Sequence, residues 1–311
     1  MPETLDELAQ LSRCANMWIM FLFITILSAL IVAAAFLPWL AWWWRWPDRS
    51  GVEHIVFEPV ATDRLIIAHA TGGSELGSYP NAIECLNDWY AKGIRWFEFD
   101  LHWTRDGHLV GLHDWGPTFR RWFDPAGLPL SWKLAAPLIR HQGLPLTTFQ
   151  KLSMRGELTP IDPGLLSDWL ADHDDAWLVT DIKTRNDIAL EKLAEIFGPL
   201  RTRVLAQVFS TAEITLAREL GYGRIGWANY VPKRPIAELP GLLEDQPIDL
   251  VVLNRKTIRD PATWSDLARL RSMGLDLWLF TVNDAEELAA LPDSVNGIIT
   301  DRLLPKSLRS P

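Results

Sequence analysis

The sequence predicts an imperfect (β/α)8 barrel preceded by a single apolar helix that crosses a membrane, and three observations carry that prediction. A run without charge from Ala15 to Trp44 exceeds the roughly 20 apolar residues that span a bilayer. Beyond it, short apolar runs of strand length alternate with segments of helical period, the pattern of repeated strand-helix units around a parallel sheet. The residues closing those runs are polar and titratable, as at the carboxyl ends of barrel strands where active sites lie.

The first elements set the context. Residues 1–16 form a tail, acidic through Glu3, Asp6 and Glu7, and residues 17–44 form the span. Trp39, Trp42, Trp43, Trp44 and Trp46 cluster at its end, where amphipathic rings settle at headgroup level. A cleaved signal peptide with Ala33-Ala34-Ala35 as the small-residue site ranks second, because cleavage there would leave a Trp-rich apolar end exposed. Arg45 and Arg49 follow the span and Arg13 alone precedes it, which favours the large domain on the cytoplasmic side. Cys14 and Cys85 lie on opposite sides of the span, so they form no disulfide framework. The net charge of −9 over 311 residues argues against nucleic acid as a partner, and an anionic substrate would need its own local cation.

Residues 45–62, with Pro47, Gly51 and Pro59, read as a juxtamembrane linker, and residues 63–311 as one domain of about 250 residues. Nine runs read as strands: Leu65 to His69, Arg95 to Leu101, Leu109 to His113, Trp177 to Ile182, Val204 to Phe209, Ile225 to Ala228, Leu250 to Leu253, Leu277 to Val282 and Gly297 to Thr300. That is one more than a closed barrel needs, so one strand belongs to a hairpin. Asp106-Gly107 is the hairpin signal; with those two as loop residues, Asp100 lies opposite His113. Helical spacing runs over Asn81 to Ala91, Asp187 to Phe197, Thr211 to Leu220, Ala262 to Met273 and Ala285 to Leu291. Residues 114–146, with five prolines and several Trp and Arg, are too long for an ordinary connection and read as an insertion or lid. Its aromatic residues either meet lipid or a substrate tail, or pack as a surface excursion.

The candidate site follows from strand geometry. Glu98 and Asp100 are one residue apart and project from one face, while Phe97, Phe99 and Leu101 take the other. Asp181 and Lys183 repeat that spacing at the end of another run, and His69 ends the first strand. The Thr71-Gly72-Gly73 loop after it is flexible enough to bring backbone amides near an anion. Three carboxylates suit a hard cation, two histidines suit proton transfer near neutrality, and a lysine suits a phosphate oxygen. Together they make a set for cleaving phosphodiesters. The plain alternatives are an ion pair for Asp181 and Lys183, another for Asp301 and Arg302, exposed hairpin positions for His102 and His108, and caps or turns for Asn81 and Asn254.

In order along the chain stand His69, Asn81, the E-x-D of Glu98 and Asp100, the DG…HD of Asp106 to Asp114 and the LTTF of Leu146 to Phe149. The D-I-K of Asp181 to Lys183, the TVND of Thr281 to Asp284 and the GIITDR of Gly297 to Arg302 come next. This collinear set, over about residues 64–306, resembles the glycerophosphodiester phosphodiesterase family of the phosphatidylinositol-specific phospholipase C-like barrel superfamily. The resemblance implies a hydrolase that splits a glycerophosphodiester into glycerol 3-phosphate and an alcohol, with a phospholipid as the alternative substrate. It implies His69 and His113 as the acid/base pair, Glu98, Asp100 and Asp181 as ligands to magnesium or calcium, and Lys183, Asn81, Trp278 and Phe280 at the substrate. By family analogy the domain would be periplasmic or extracellular. A cyclic phosphate intermediate is a route proposed for such enzymes.

The chain departs from the family pattern. Ala70-Thr71 replaces the usual Arg-Gly after the first histidine, so a phosphate-binding guanidinium is missing there, with Arg95, Arg120 and Arg121 as candidate replacements. Pro80-Asn81-Ala82 replaces Glu-Asn-Thr, Asp181 replaces a glutamate, and Phe280 replaces a tryptophan. Two further readings stay open: a lipid-directed phospholipase of C or D type, and a catalytically silent barrel that binds phospholipid headgroups.

Overall fold

A computed structural model describes residues 5–44, 54–123, 136–155 and 158–306. The amino-terminal helix runs Leu5–Trp44, and within it Asn16–Ala35 is long and apolar enough to cross a membrane, with none of that stretch buried against the rest of the chain. The helix therefore starts inside the expected tail. The expected linker is described from residue 54 onward, and the middle of the expected insertion, residues 124–135, lies outside the described residues.

The strands, in chain order, are β1 (Glu58–Val60), β2 (Leu65–Ala68), β3 (Trp96–Trp103), β4 (Leu109–Gly111), β5 (Trp177–Asp181) and β6 (Val204–Val208). They continue with β7 (Arg224–Ala228), β8 (Leu250–Asn254), β9 (Asp276–Phe280), β10 (Gly297–Thr300) and β11 (Leu303–Pro305). Neighbours run β2-β10-β9-β8-β7-β6-β5-β3, and β2 pairs with β3 to close the ring, so eight parallel strands form a barrel. All nine expected strands form. Strand β4 is the expected extra one, antiparallel to β3, while β1 and β11 pair with each other alone.

The alternation of side chains along each strand builds two apolar layers. Ile67, Val179, Leu205, Val252, Trp278 and Ile299 fill the barrel interior. Ile66, Phe97, Phe99, Leu178, Val251 and Leu277 face outward, against helix residues such as Leu86, Trp89, Leu190 and Leu267. These layers bury strands on both faces, as a parallel sheet requires. The expected helices form as Ile83–Ala91, Asn186–Phe197, Thr211–Glu219, Trp264–Ser272 and Ala285–Ala289, and Pro163–Asp172 adds a helix capped by Asp162, whose carboxylate accepts from Leu165 N at 2.9 Å. That one escaped periodicity, although the Asp-Pro start is a helix signal.

The hairpin differs from expectation. The pairs are Leu101 with Gly111, His102 with Val110 and Trp103 with Leu109, a register shifted by one residue. Thr104 and His108 close a loop of Arg105, Asp106 and Gly107, in which Thr104 N donates to His108 O at 2.7 Å and Gly107 takes φ +81°. A three-residue loop ending in a left-handed glycine is the next most common hairpin connection after the two-residue turn. Asp100 therefore sits level with Leu112, whose N–H donates to Asp100 O at 3.2 Å, and not with His113.

The described parts of the insertion form a second small core. Trp115, Phe119, Trp122, Phe123, Ile139 and Phe149 pack on Val110 and Leu112 of the hairpin. The aromatic residues described there are buried in protein, so of the two readings left open they take the packed excursion and not contact with lipid or a substrate tail.

Candidate active site

The parallel register brings the acidic residues together. Asp100 on β3 pairs with Asp181 on β5, and Glu98 lies two residues below Asp100 on the same inward face. One oxygen from each of Glu98, Asp100 and Asp181 lies within 4.8 Å of the others. On the other side of the ring, Ala68 is level with Thr300, so His69 and Asp301 leave β2 and β10 together. His69 Nδ1 lies 2.9 Å from an Asp301 oxygen, and its Nε2 lies 4.0 Å from Glu98 Oε2.

His113 reaches the site by a different route. Leu112 before it and Trp115 after it are buried in the insertion core, which pins His113 and Asp114 at the rim. Its Nδ1 lies 2.9 Å from Asp114 Oδ2, and Asp114 is itself fixed by Gly116 N at 2.7 Å and Thr118 Oγ1 at 2.6 Å. Both imidazoles thus hold a carboxylate at Nδ1 and keep Nε2 for the cavity. Tyr79 stands between them, edge-on to each, with ring centroids 4.4 Å from His69 and 5.2 Å from His113.

His69, Tyr79, Glu98, His113 and Asp181 line a cavity of about 240 Å³ with Lys183, Gln207, Tyr230, Asn254 and Phe280. Asn81 stands behind the cavity: its Nδ2 donates to Asp100 Oδ2 at 3.1 Å and its Oδ1 accepts from Asp100 N at 2.9 Å. It orients a carboxylate and does not line the space. Phe280 forms a wall against Tyr230 at 4.8 Å, whereas Trp278 is part of the interior layer below and takes no part in the lining. Asn254 Oδ1 accepts from Lys256 N at 2.9 Å, the cap expected of it.

Several expectations change here. Asp301 serves His69 and accepts from Asn283 Nδ2 at 2.6 Å, in place of the expected pairing with Arg302. Gly72 N donates to His69 O at 2.8 Å, and both glycines sit in tight packing, since a Cβ on Gly72 would lie 2.4 Å from the Trp89 ring and one on Gly73 would lie 2.2 Å from Asp301 O. Those glycines permit close packing, and the nearby amide of Ala70 is already spent on Glu98 Oε2 at 2.7 Å. Arg95, Arg120 and Arg121 do not line the cavity; Arg95 pairs with Asp175 instead. Among the described residues, Lys183 is the one lysine or arginine in the lining. His102 is half-buried beside Trp115, while His108 is exposed as expected.

The electrostatics reflect the crowding of acids into a buried space. Burial and the Asp100 charge push the Glu98 carboxyl well above the usual range. Burial works the same way on Asp100, but Lys183, the two histidines and Asn81 outweigh it and hold that carboxyl below its ordinary value. Lys183 Nζ donates to Asp181 Oδ2 at 2.7 Å and to Asp100 Oδ1 at 3.1 Å, and these acids keep it protonated against the cost of burial. Burial alone would lower His69; Asp301 reverses that by charge and hydrogen bond, with help from Glu98 and Asp100, and lifts it to about 9.

Among the described residues, two buried oxygens of the trio, Glu98 Oε1 and Asp181 Oδ1, have no hydrogen-bond partner. Orphaned anionic oxygens are costly unless something cationic meets them. An all-oxygen set of this kind fits a hard divalent ion, magnesium or calcium, with Glu98, Asp100 and Asp181 as the donors.

Fold and site define a class: an α/β barrel with an acidic, histidine-flanked pocket at the carboxyl ends of its strands. Solved structures of this fold include a glycerophosphodiester phosphodiesterase from Thermotoga maritima, at 17% identity and TM-score 0.57 over 78% of this chain and 96% of that one. A second, from Parabacteroides distasonis, matches at 17% identity and TM-score 0.57 over 78% and 94%. A third, from Agrobacterium tumefaciens, matches at 16% identity and TM-score 0.51 over 77% and 96%. No family profile matches the sequence, and no curated protein matches it either. The chain has the fold of these enzymes.

Proposed function

We propose that this chain is a membrane-anchored, divalent-metal-dependent phosphodiesterase that hydrolyses glycerophosphodiesters to glycerol 3-phosphate and an alcohol. The observation that carries the reading is the acidic trio with two unpartnered oxygens, set between two histidines that each hold a carboxylate at Nδ1. The names of the structurally similar enzymes point the same way.

A divalent ion held by Glu98, Asp100 and Asp181 would draw charge from the phosphoryl oxygens. The chain's own residues supply the rest. His69, protonated at neutral pH through Asp301, donates a proton from Nε2 to the leaving alcohol oxygen as the P–O bond breaks. His113, held by Asp114, takes the proton of the attacking hydroxyl or water at Nε2. Lys183 offers a positive charge to a phosphate oxygen, where the family pattern would have an arginine beside His69. One water is consumed, and one monoester and one alcohol result.

The apolar helix Asn16–Ala35 supports anchoring and favours a second reading, in which the same site works on phospholipid in the bilayer. Product analysis separates the two. Full-length protein in detergent with magnesium or calcium is expected to release glycerol 3-phosphate from a soluble diester and to lose release on His113→Ala. Turnover confined to vesicle-borne substrate would favour the lipid-directed reading, and binding without turnover of either would favour the silent barrel.

A further inference from the structure

A second cavity, of about 320 Å³, adjoins the catalytic one, and Tyr230 and Asn254 line both. Three cations gather in it: Lys233 and Arg234 from the loop after β7, and Lys256 from the loop after β8. In a chain of net charge −9 such a gathering is not background. Arg234 has a distant partner in Glu238, 4.0 Å away, and neighbouring Arg255 is taken by Glu287, but among the described residues no carboxylate pairs with Lys233 or Lys256.

The loops are fixed from within. Asn229, nearly fully buried, donates from Nδ2 to Arg234 O at 2.8 Å and accepts at Oδ1 from Arg234 N at 3.2 Å, and Lys233 N donates to Asn229 O at 2.8 Å. Lys233 takes a left-handed backbone, φ +51°, a conformation disfavoured for a residue with a Cβ. Asn254 places Lys256 through its backbone amide. Tyr230 links the two spaces: its hydroxyl donates to Gln207 Oε1 at 3.3 Å, and the Lys183 ammonium lies 5.9 Å from its ring centre.

We propose that this cavity is an anion subsite, so that the substrate is a diester whose alcohol portion carries a second phosphate, held by Lys233, Arg234 and Lys256. The inference deepens the phosphodiesterase reading and rests on it. A phosphomonoester offers three acceptor oxygens to the three cationic side chains that line this space, and charge-assisted bonds of this kind are the strong ones. A soluble phosphorylated polyol and a lipid headgroup present the same chemistry.

The test compares glycerophosphoinositol with and without one phosphomonoester on its ring, on the full chain in detergent with a divalent ion. The phosphorylated diester is expected to show a kcat/KM about tenfold higher, and K233A/K256A to abolish that preference while leaving the plain diester within about twofold. Equal kcat/KM for the two in the unaltered protein, or an equal loss for both in the variant, would overturn the subsite. Should neither diester turn over, the phosphodiesterase reading fails, and calorimetry decides the subsite alone. Tighter binding of the phosphorylated compound that K233A/K256A removes would uphold it, and equal or absent binding would overturn it. The same headgroups presented as lipids in phosphatidylcholine vesicles tell the sources apart, since a Lys233- and Lys256-dependent preference there alone identifies a bilayer ligand.

Discussion

At the scale of single residues, the site rests on how each imidazole is held. Asp301 raises the His69 pKa to about 9 against the cost of burial. Asp301→Asn is therefore expected to cut turnover roughly 100-fold. Because the anion that favours the protonated ring is gone, the alkaline limb of the rate profile should move to lower pH. A profile unchanged in position would assign Asp301 a structural role only. Glu98 carries the opposite tension, an ionised form disfavoured by burial and by Asp100. In excess chelator, Glu98→Gln should raise the melting temperature while abolishing the rise that a divalent ion gives the unaltered chain, measurable by thermal denaturation with and without the ion. His69, Glu98, Asp100, His113 and Asp181 were legible in the sequence because strand ends and a two-residue spacing mark them. Asp301 was legible only as a neighbour of Arg302, since its true partner lies 232 positions away and is brought near by barrel closure. Tyr79 gave no signal either: its place between the histidines depends on a loop in which Ala70, Thr71, Tyr79 and Asn81 all take positive φ, which no local pattern encodes.

At the scale of elements, the hairpin shows what spacing can and cannot fix. Asp-Gly marked the turn correctly, but a loop of three residues moved the register by one, and such a shift exchanges the faces of a strand. His113 still reaches the cavity because β4 ends at Gly111 and the insertion core holds the residues on either side of the histidine. Trp122, almost wholly buried in that core, donates from Nε1 to Ser78 O at 3.2 Å, next to Tyr79. Trp122→Ala is expected to cost about 3 kcal/mol by chemical denaturation, the usual penalty for emptying so large a site. At the amino end of β9, burial would raise the Asp276 carboxyl, but Arg224, Asn296 and Arg271 all donate to it and hold it below its ordinary value. A depressed carboxyl stabilises the fold above its unfolded pKa of about 3.9 and loses that contribution as pH falls through the lower folded value. Asp276→Asn should thus cost about 1 kcal/mol at neutral pH, with the difference between the two chains closing in strong acid.

At the scale of the whole molecule, nine strand-length runs and their intervening helices were enough to predict the barrel, because apolar layers on both faces of parallel strands leave a strong imprint on sequence. The closure of β2 on β3 brings His69 and Asp301 to Glu98, Asp100, Asp181 and Lys183, and the chain entering the insertion adds His113 with its partner Asp114. The amino-terminal helix exposes its apolar side chains throughout Asn16–Ala35, so full-length protein should stay with the membrane fraction through alkaline carbonate washing. The central claim is that the acidic trio holds a divalent ion on which hydrolysis depends. Its most direct test titrates magnesium or calcium into chelator-stripped full-length protein while monitoring glycerol 3-phosphate release. Binding of one ion per chain that restores turnover in proportion, and the loss of both in Glu98→Gln, is the expected result; undiminished turnover with chelator in excess would contradict it.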